Sequence, residues 1–202
     1  MSAMPRRSAT AVAGTRAEAL DAAMRRASIE GLEGLTIGRL ADELSMSKSG
    51  LFGLFGSKEG LQVATFERAV EDFTREVWAP IAQREPGLPR LLALIDRWIA
   101  YHRRRALPGG CFVTTATIEF DARPGPLRDA VAGARRRMHA ALEADVRAAV
   151  EAGDLSEATD PVDTAFALYA LASAASQAIQ LDEPGAAARA RRCMRALVSS
   201  PG

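Results

Sequence analysis

The only two lysines of the chain, Lys48 and Lys58, fall in one stretch, SMSKSGLFGLFGSKEG (residues 45–60), and each directly follows a serine. Every other basic residue is arginine, and the same stretch spaces Gly50, Gly53 and Gly56 three apart around Phe52 and Phe55. Serines before short apolar runs are helix caps. A helix start directs free amides outward and attracts anions. A cation placed there opposes the helix dipole unless an anion is nearby. Lysine is a compact, mobile point charge that suits a single phosphate oxygen. The chemistry these residues suggest is therefore phosphate binding: the amides of two helix starts and two ammonium groups, with glycines keeping the surface slim enough for close approach.

Other chemistries find little support. Nucleotide binding by a phosphate loop needs Gly-Lys-Ser/Thr after a strand, whereas the order here is Gly56-Ser57-Lys58 with no strand before it. Cys111, Cys193, His102 and His139 show no metal-ligand spacing. No Ser/His/acid order, paired-carboxylate site or cofactor loop stands out, so no catalytic residue, metal or cofactor is expected. His139 beside Arg135–Arg137 reads as a solvated helix face. Two distant cysteines fit a reduced, cytoplasmic protein. No apolar run approaches the roughly 18–20 residues that span a membrane. The formal net charge is +1, so contact with nucleic acid must come from a local patch.

The elements that position these residues read as helix throughout, with abundant Ala and Arg and few β-branched runs. Residues 1–14, with Arg6 and Arg7, read as a disordered arm. A first helix is expected to open at Thr15, with Glu18 at capping-box spacing, and to stop at Gly31 and Gly34. Thr36 caps a short second helix. Ser45-Met46 turns the chain and Ser47 caps a third helix that Gly56 ends. Ser57 caps a long fourth helix with Val63, Phe66, Val70, Phe73 and Val77 on one stripe, ended or kinked by Pro80. A fifth helix carries Leu91, Leu94, Ile95, Trp98 and His102. CFVTTATIEF (111–120) has strand propensity, but a lone strand has no partner, so helix is expected. Pro126 starts a helix running to Gly153, with Leu127, Val131, Met138, Leu142, Val146 and Val150 inward. Asp160-Pro161 starts another, and a last helix carries Ala190, Cys193, Met194, Leu197 and Val198 at helical spacing.

Two short capped helices joined by a tight turn make a helix-turn-helix. Leu40, Ala41, Leu44, Met46, Leu51 and Phe55 can pack it, leaving Ser47, Lys48, Ser49, Gly50, Phe52 and Leu54 at the exposed end of the third helix. In such units that end enters the major groove.

The run LTIGRLADELSMSKSGLFGLFGSKEGL (35–61) resembles the DNA-binding segment of TetR-family transcriptional regulators: a threonine cap, an Ile/Leu-Ala pair, a Met-Ser turn, an aromatic pair, then Ser-Lys-Glu-x-Leu. The resemblance implies an all-α homodimer. Residues 15–60 would form the helix-turn-helix domain, and residues 61–202 a helical ligand-binding and dimerisation domain. Its DNA contacts carry over to Thr36, Lys48, Ser49, Gly50 and Lys58, with Ser47 and Ser57 at the helix starts. Two positions depart from the pattern. Phe52 stands where the family usually has a tyrosine hydroxyl for a phosphate, and Leu54 where it often has histidine. Phe52 could instead touch a thymine methyl.

A ligand pocket is expected in the larger domain from Trp98, Tyr101, His102, Cys111 and Phe112, together with Thr115, Phe120, Tyr169 and Gln177: an apolar wall with a few polar groups. Small residues along 165–178 and the last helix suit a two-fold interface. The expected function is a ligand-responsive repressor that binds a palindromic operator in double-stranded DNA as a dimer, with an unknown small-molecule effector. The alternative is a helical small-molecule-binding or scaffold protein without DNA binding.

Overall fold

Hydroxyl side chains punctuate the N-terminal half of the structure, a computed structural model that describes residues 9–199. Helix α1 spans Ala9–Glu30, α2 Ile37–Glu43, α3 Lys48–Phe55 and α4 Lys58–Phe73. Thr36, Ser47 and Ser57 sit in extended geometry immediately before α2, α3 and α4. Each accepts a hydrogen bond from an amide three residues on, at 3.3, 3.0 and 2.8 Å. Each cap satisfies one donor that a helix start leaves orphaned.

Thr15 behaves otherwise. It lies inside α1, where its hydroxyl donates to the Ala11 carbonyl at 2.9 Å instead of capping. Residues 9–14 are thus helix rather than arm, while Arg6 and Arg7 lie outside the described residues.

At its far end α4 passes through a π-helical turn, Thr74–Trp78, and a 3-10 turn, Ala79–Ile81. Pro80 explains the change. It lacks an N–H and its ring collides with the carbonyl four residues back. That carbonyl, of Glu76, instead accepts from Arg97 Nη1 at 3.2 Å.

The remaining helices are α5 (Leu88–Arg104), α6 (Phe112–Phe120), α7 (Pro126–Glu151), α8 (Pro161–Gln180) and α9 (Ala186–Leu197). Among the described residues no strand forms. α6 arises from the strand-like CFVTTATIEF because its threonines are satisfied within the helix: Thr115 and Thr117 donate to the carbonyls of Cys111 and Val113. Phe112, Ala116 and Phe120, four apart, then form its buried face.

Two apolar cores result. The first joins α1, α2 and α3 to the start of α4 through Leu20's neighbours Ala23 and Met24, Leu40, Leu51, Leu61 and Phe66, and takes in α6 and Leu127 and Val131 of α7. The second joins Phe73 and Val77 to α5, α7, α8 and α9. Helix α4 contributes to both, and packing does not divide at residue 60. Asp145 of α7, fully buried, accepts two-pronged bonds from Arg90 and one from the Gly87 amide, which ties the start of α5 to α7. Such a buried acid depends on its partner remaining in place.

In α9 the packed stripe is Ala186, Ala190, Met194 and Val198, stepping by four. Cys193 and Leu197, which share the helical spacing, lie one position behind that stripe and are exposed. No helix among the described residues is long and apolar enough to cross a membrane.

Candidate nucleic-acid interface and ligand cavity

The turn between α2 and α3 is built on the backbone. Ser45 adopts a left-handed conformation, φ 53°. The Met46 amide reaches the Ala41 carbonyl at 2.9 Å and the Ser45 amide reaches Asp42 at 3.3 Å. This pair of bonds is the Schellman ending of a helix, with serine where glycine is commonest. It lets only four residues separate the end of α2 from the start of α3. Leu40, Ala41 and Leu51 are sealed beneath the turn.

The sequence-predicted DNA residues divide by what they do. Thr36, Ser47 and Ser57 spend their oxygens on caps. Ser47, Lys48, Ser49, Gly50 and Phe52 form one exposed surface along α3, with Phe52 more than half exposed. The Lys48 stem lies against the bare backbone of Gly38 in α2, and among the described residues its ammonium enters no ion pair. Lys58 is already engaged: its ammonium meets Glu33 at 2.9 Å. The Lys58 ammonium, with Arg123 beyond it, holds the Glu33 carboxyl below its ordinary range. Leu54 is a correction. It is half-buried and packs on the first core rather than standing at the exposed tip, because its place on α3 faces the packed side.

Behind this surface, the loop between α1 and α2 is held from two sides. Glu119 of α6 accepts from the amides of Leu32 at 2.9 Å and Glu33 at 2.8 Å. Gln62 of α4 donates to the Leu32 carbonyl at 2.7 Å. The loop before α6 also touches α1: the Gly109 amide donates to Ser28 Oγ, and a side chain at Gly109 would collide with the Ser28 carbonyl. The position of α6 is therefore written into the α1–α2 loop, a coupling that nothing in the residue pattern announced.

The same α6 begins at a cavity of about 300 Å³ whose walls come from α4, the π turn, α5, α6, α7 and α8. Of the expected pocket residues, Trp98, His102, Cys111 and Tyr169 line it. Phe73 packs edge-on against Trp98, and Trp98 against Tyr169. His102 is buried, and neither ring nitrogen makes a hydrogen bond of good geometry, although the Ala172 carbonyl lies close enough to act on the ring. Burial pushes its imidazole down to about 4, a shift the Ala172 carbonyl only partly offsets, so the ring is neutral near pH 7.

The other five expected pocket residues lie elsewhere. Tyr101 packs edge-on against Phe73 and borders a separate, smaller cleft beside Asp72 and Leu107, and burial pushes its phenol well up. Phe112 and Phe120 point into the first core, since α6 turns its four-step face that way. Thr115 gives its hydroxyl to the Cys111 carbonyl, and its neighbour Thr114 lines the cavity instead. Gln177 is exposed on α8. Among the lining residues missed were Phe73 and Trp78, Arg135 and Arg137, and Ser173. Phe73 carried a signal as part of the α4 stripe. Arg135 looked solvated in sequence, yet its guanidinium lies over the Tyr169 ring at 4.6 Å. Among the described residues no cluster of His, Cys, Asp and Glu could hold a metal ion.

Residues 19–65 match the family model described as bacterial regulatory proteins, tetR family, and residues 87–194 match the tetracyclin repressor-like C-terminal domain. No curated protein matches the sequence significantly. Solved structures share the fold. A TetR transcriptional regulator from Chloroflexus aurantiacus superposes with TM-score 0.83 at 22% identity, over 92% of this chain and 94% of that one. AibR in complex with isovaleryl coenzyme A and operator DNA gives 0.76 at 20% identity, over 93% and 99%. A TetR-family regulator from Streptomyces coelicolor gives 0.76 at 21% identity, over 92% and 95%.

Proposed function

The chain belongs to the tetR family of bacterial regulatory proteins, and from that premise we propose that it is a cytoplasmic, ligand-responsive repressor that binds a palindromic DNA operator as a homodimer. The observation that carries this reading is the exposed face of α3: small residues at its start, free amides, Phe52 in solvent and Lys48 unpaired beside them. The first turn of α3 enters the major groove. Its amides and Lys48 meet phosphates or a guanine edge, and Phe52 meets a thymine methyl. Lys58 exchanges Glu33 for a phosphate as the complex forms.

Dimerisation is supported by large apolar side chains left in solvent on and beside α8 and α9: Val162, Phe166, Leu181 and Leu197. Against a second copy they would be covered, as isologous interfaces require. Ligand response is supported by α4, which has Phe66 in one core and Phe73 at the cavity wall, and by α6, which meets the cavity at Cys111 and the α1–α2 loop at Glu119. A ligand that prefers a form with displaced recognition helices draws the population away from DNA. AibR, a relative by fold, has been captured with both a coenzyme A thioester and operator DNA.

Selection of bound duplexes from a random pool tests the proposal. The expected product is a two-fold symmetric site with half-sites about one helical turn apart. If no sequence is enriched, the chain is instead a helical small-molecule-binding or scaffold protein.

A further inference from the structure

Resting on that ligand-responsive reading, we infer that the cavity takes a small aromatic carboxylate that carries a second hydrogen-bonding group, the carboxylate facing Arg135 and Arg137 and the second group engaging His102. Four features select this class. The volume, about 300 Å³, lies at the lower end of ligand pockets and suits a single ring rather than a nucleotide or a long chain. The walls supply faces and edges of Phe73, Trp78, Trp98 and Tyr169, which favour a flat apolar body.

The third feature is charge. Two guanidinium groups border the cavity and no carboxylate does. Among the described residues neither Arg135 nor Arg137 enters an ion pair. Arg135 already covers the Tyr169 ring, so a cationic ligand would lose that aromatic face and meet like charge. An anion instead gains a planar, two-pronged partner.

The fourth feature is His102. A buried imidazole with no well-formed hydrogen bond, only the Ala172 carbonyl nearby, is uncommon and leaves room for a better partner. As a neutral ring it offers one donor and one acceptor, which a hydroxyl or carbonyl can use in either sense. Neither nitrogen is open to solvent, so the ring turns toward the ligand as it binds. That adjustment occurs on α5, against α4 and α8, and gives the ligand a reason to prefer a rearranged domain.

Calorimetric titration of the full chain tests this with 2-, 3- and 4-hydroxybenzoate, benzoate, 4-hydroxybenzamide and 4-hydroxybenzylamine. Trp78 and Trp98 are the only tryptophans and both line the cavity, so quenching of their fluorescence assigns the heat to this site. At least one hydroxybenzoate should bind about tenfold more tightly than the amide, and an Arg135→Gln/Arg137→Gln double variant should reduce that preference to about twofold. His102→Leu should remove the advantage of hydroxybenzoate over benzoate. His102→Gln, which keeps a donor and an acceptor, should restore part of it, and this pair of variants is scored only where circular dichroism shows native helix.

Binding of the amine as tight as that of the acids, a preference unchanged in the arginine variant, or no binding by any acid overturns the inference. The selected duplex is added in parallel. An acid that binds with the expected selectivity but leaves the duplex bound upholds the ligand class and refutes the regulatory reading.

Discussion

Burial of His102 should make stability depend on pH in a way that one substitution removes. The imidazole is held at about 4 in the folded protein against about 6.5 in an exposed chain. At pH 7 the ring is neutral in both states and the effect is nearly absent. As pH falls below the unfolded value, the unfolded chain binds a proton that the folded chain refuses. Stability is therefore lost progressively between pH 6.5 and 4. Integrating the linkage relation with these two values gives a loss of about 2 kcal/mol between pH 7 and pH 5. His102→Gln cannot titrate and should lack this component, while His139 and every carboxylate remain in both proteins and cancel in the comparison. Urea unfolding at fixed protein concentration, at pH 7 and pH 5, measures the difference; fixed concentration matters because a dimer's stability depends on it. If wild type and variant lose the same amount, within about 0.5 kcal/mol, the ring is not held neutral by burial and the reasoning fails.

Other perturbations follow from the same structure. Glu119→Ala removes the acceptor of two loop amides and should destabilise the fold by about 2 kcal/mol, with hydrogen exchange of the Leu32 and Glu33 amides accelerated ahead of the rest. Gly60→Ala would put a methyl 2.2 Å from the Phe55 carbonyl at the α3–α4 corner, which should cost about 2 kcal/mol in urea unfolding and weaken DNA binding by tilting α3. Ser45→Gly relieves a left-handed serine in the turn and should raise stability by about 0.5–1 kcal/mol, seen as a higher urea midpoint with unchanged slope.

What was legible in the sequence was mostly local. Thr36, Ser47 and Ser57 declared helix starts because a cap needs only its own hydroxyl and an amide three residues on. Asp160 with Pro161, and Pro126, did the same for α8 and α7. Thr15 had the same spacing but sat within a run of small residues that continues the helix, so its hydroxyl turned back to Ala11.

The cavity was only partly readable. It is assembled from six segments, and a shift of one residue on a helix moves a side chain by about 100°. That is why Thr114 rather than Thr115 faces it, and why Phe112 and Phe120 face the other core. Charge misled as well: Arg135 reads as solvent-facing until Tyr169, thirty-four positions away, is seen beneath it. The Glu119 grip on the α1–α2 loop joins residues 86 and 87 positions apart and leaves no periodic trace.

The most direct test of the central claim is the salt dependence of binding to the selected duplex by the wild type and by Lys48→Ala. If α3 is the phosphate-contacting helix of a dimer, affinity should fall steeply with salt, and the substitution should reduce the log–log slope by about two, one for each copy. A shallow slope, or one that Lys48→Ala leaves unchanged, contradicts the account.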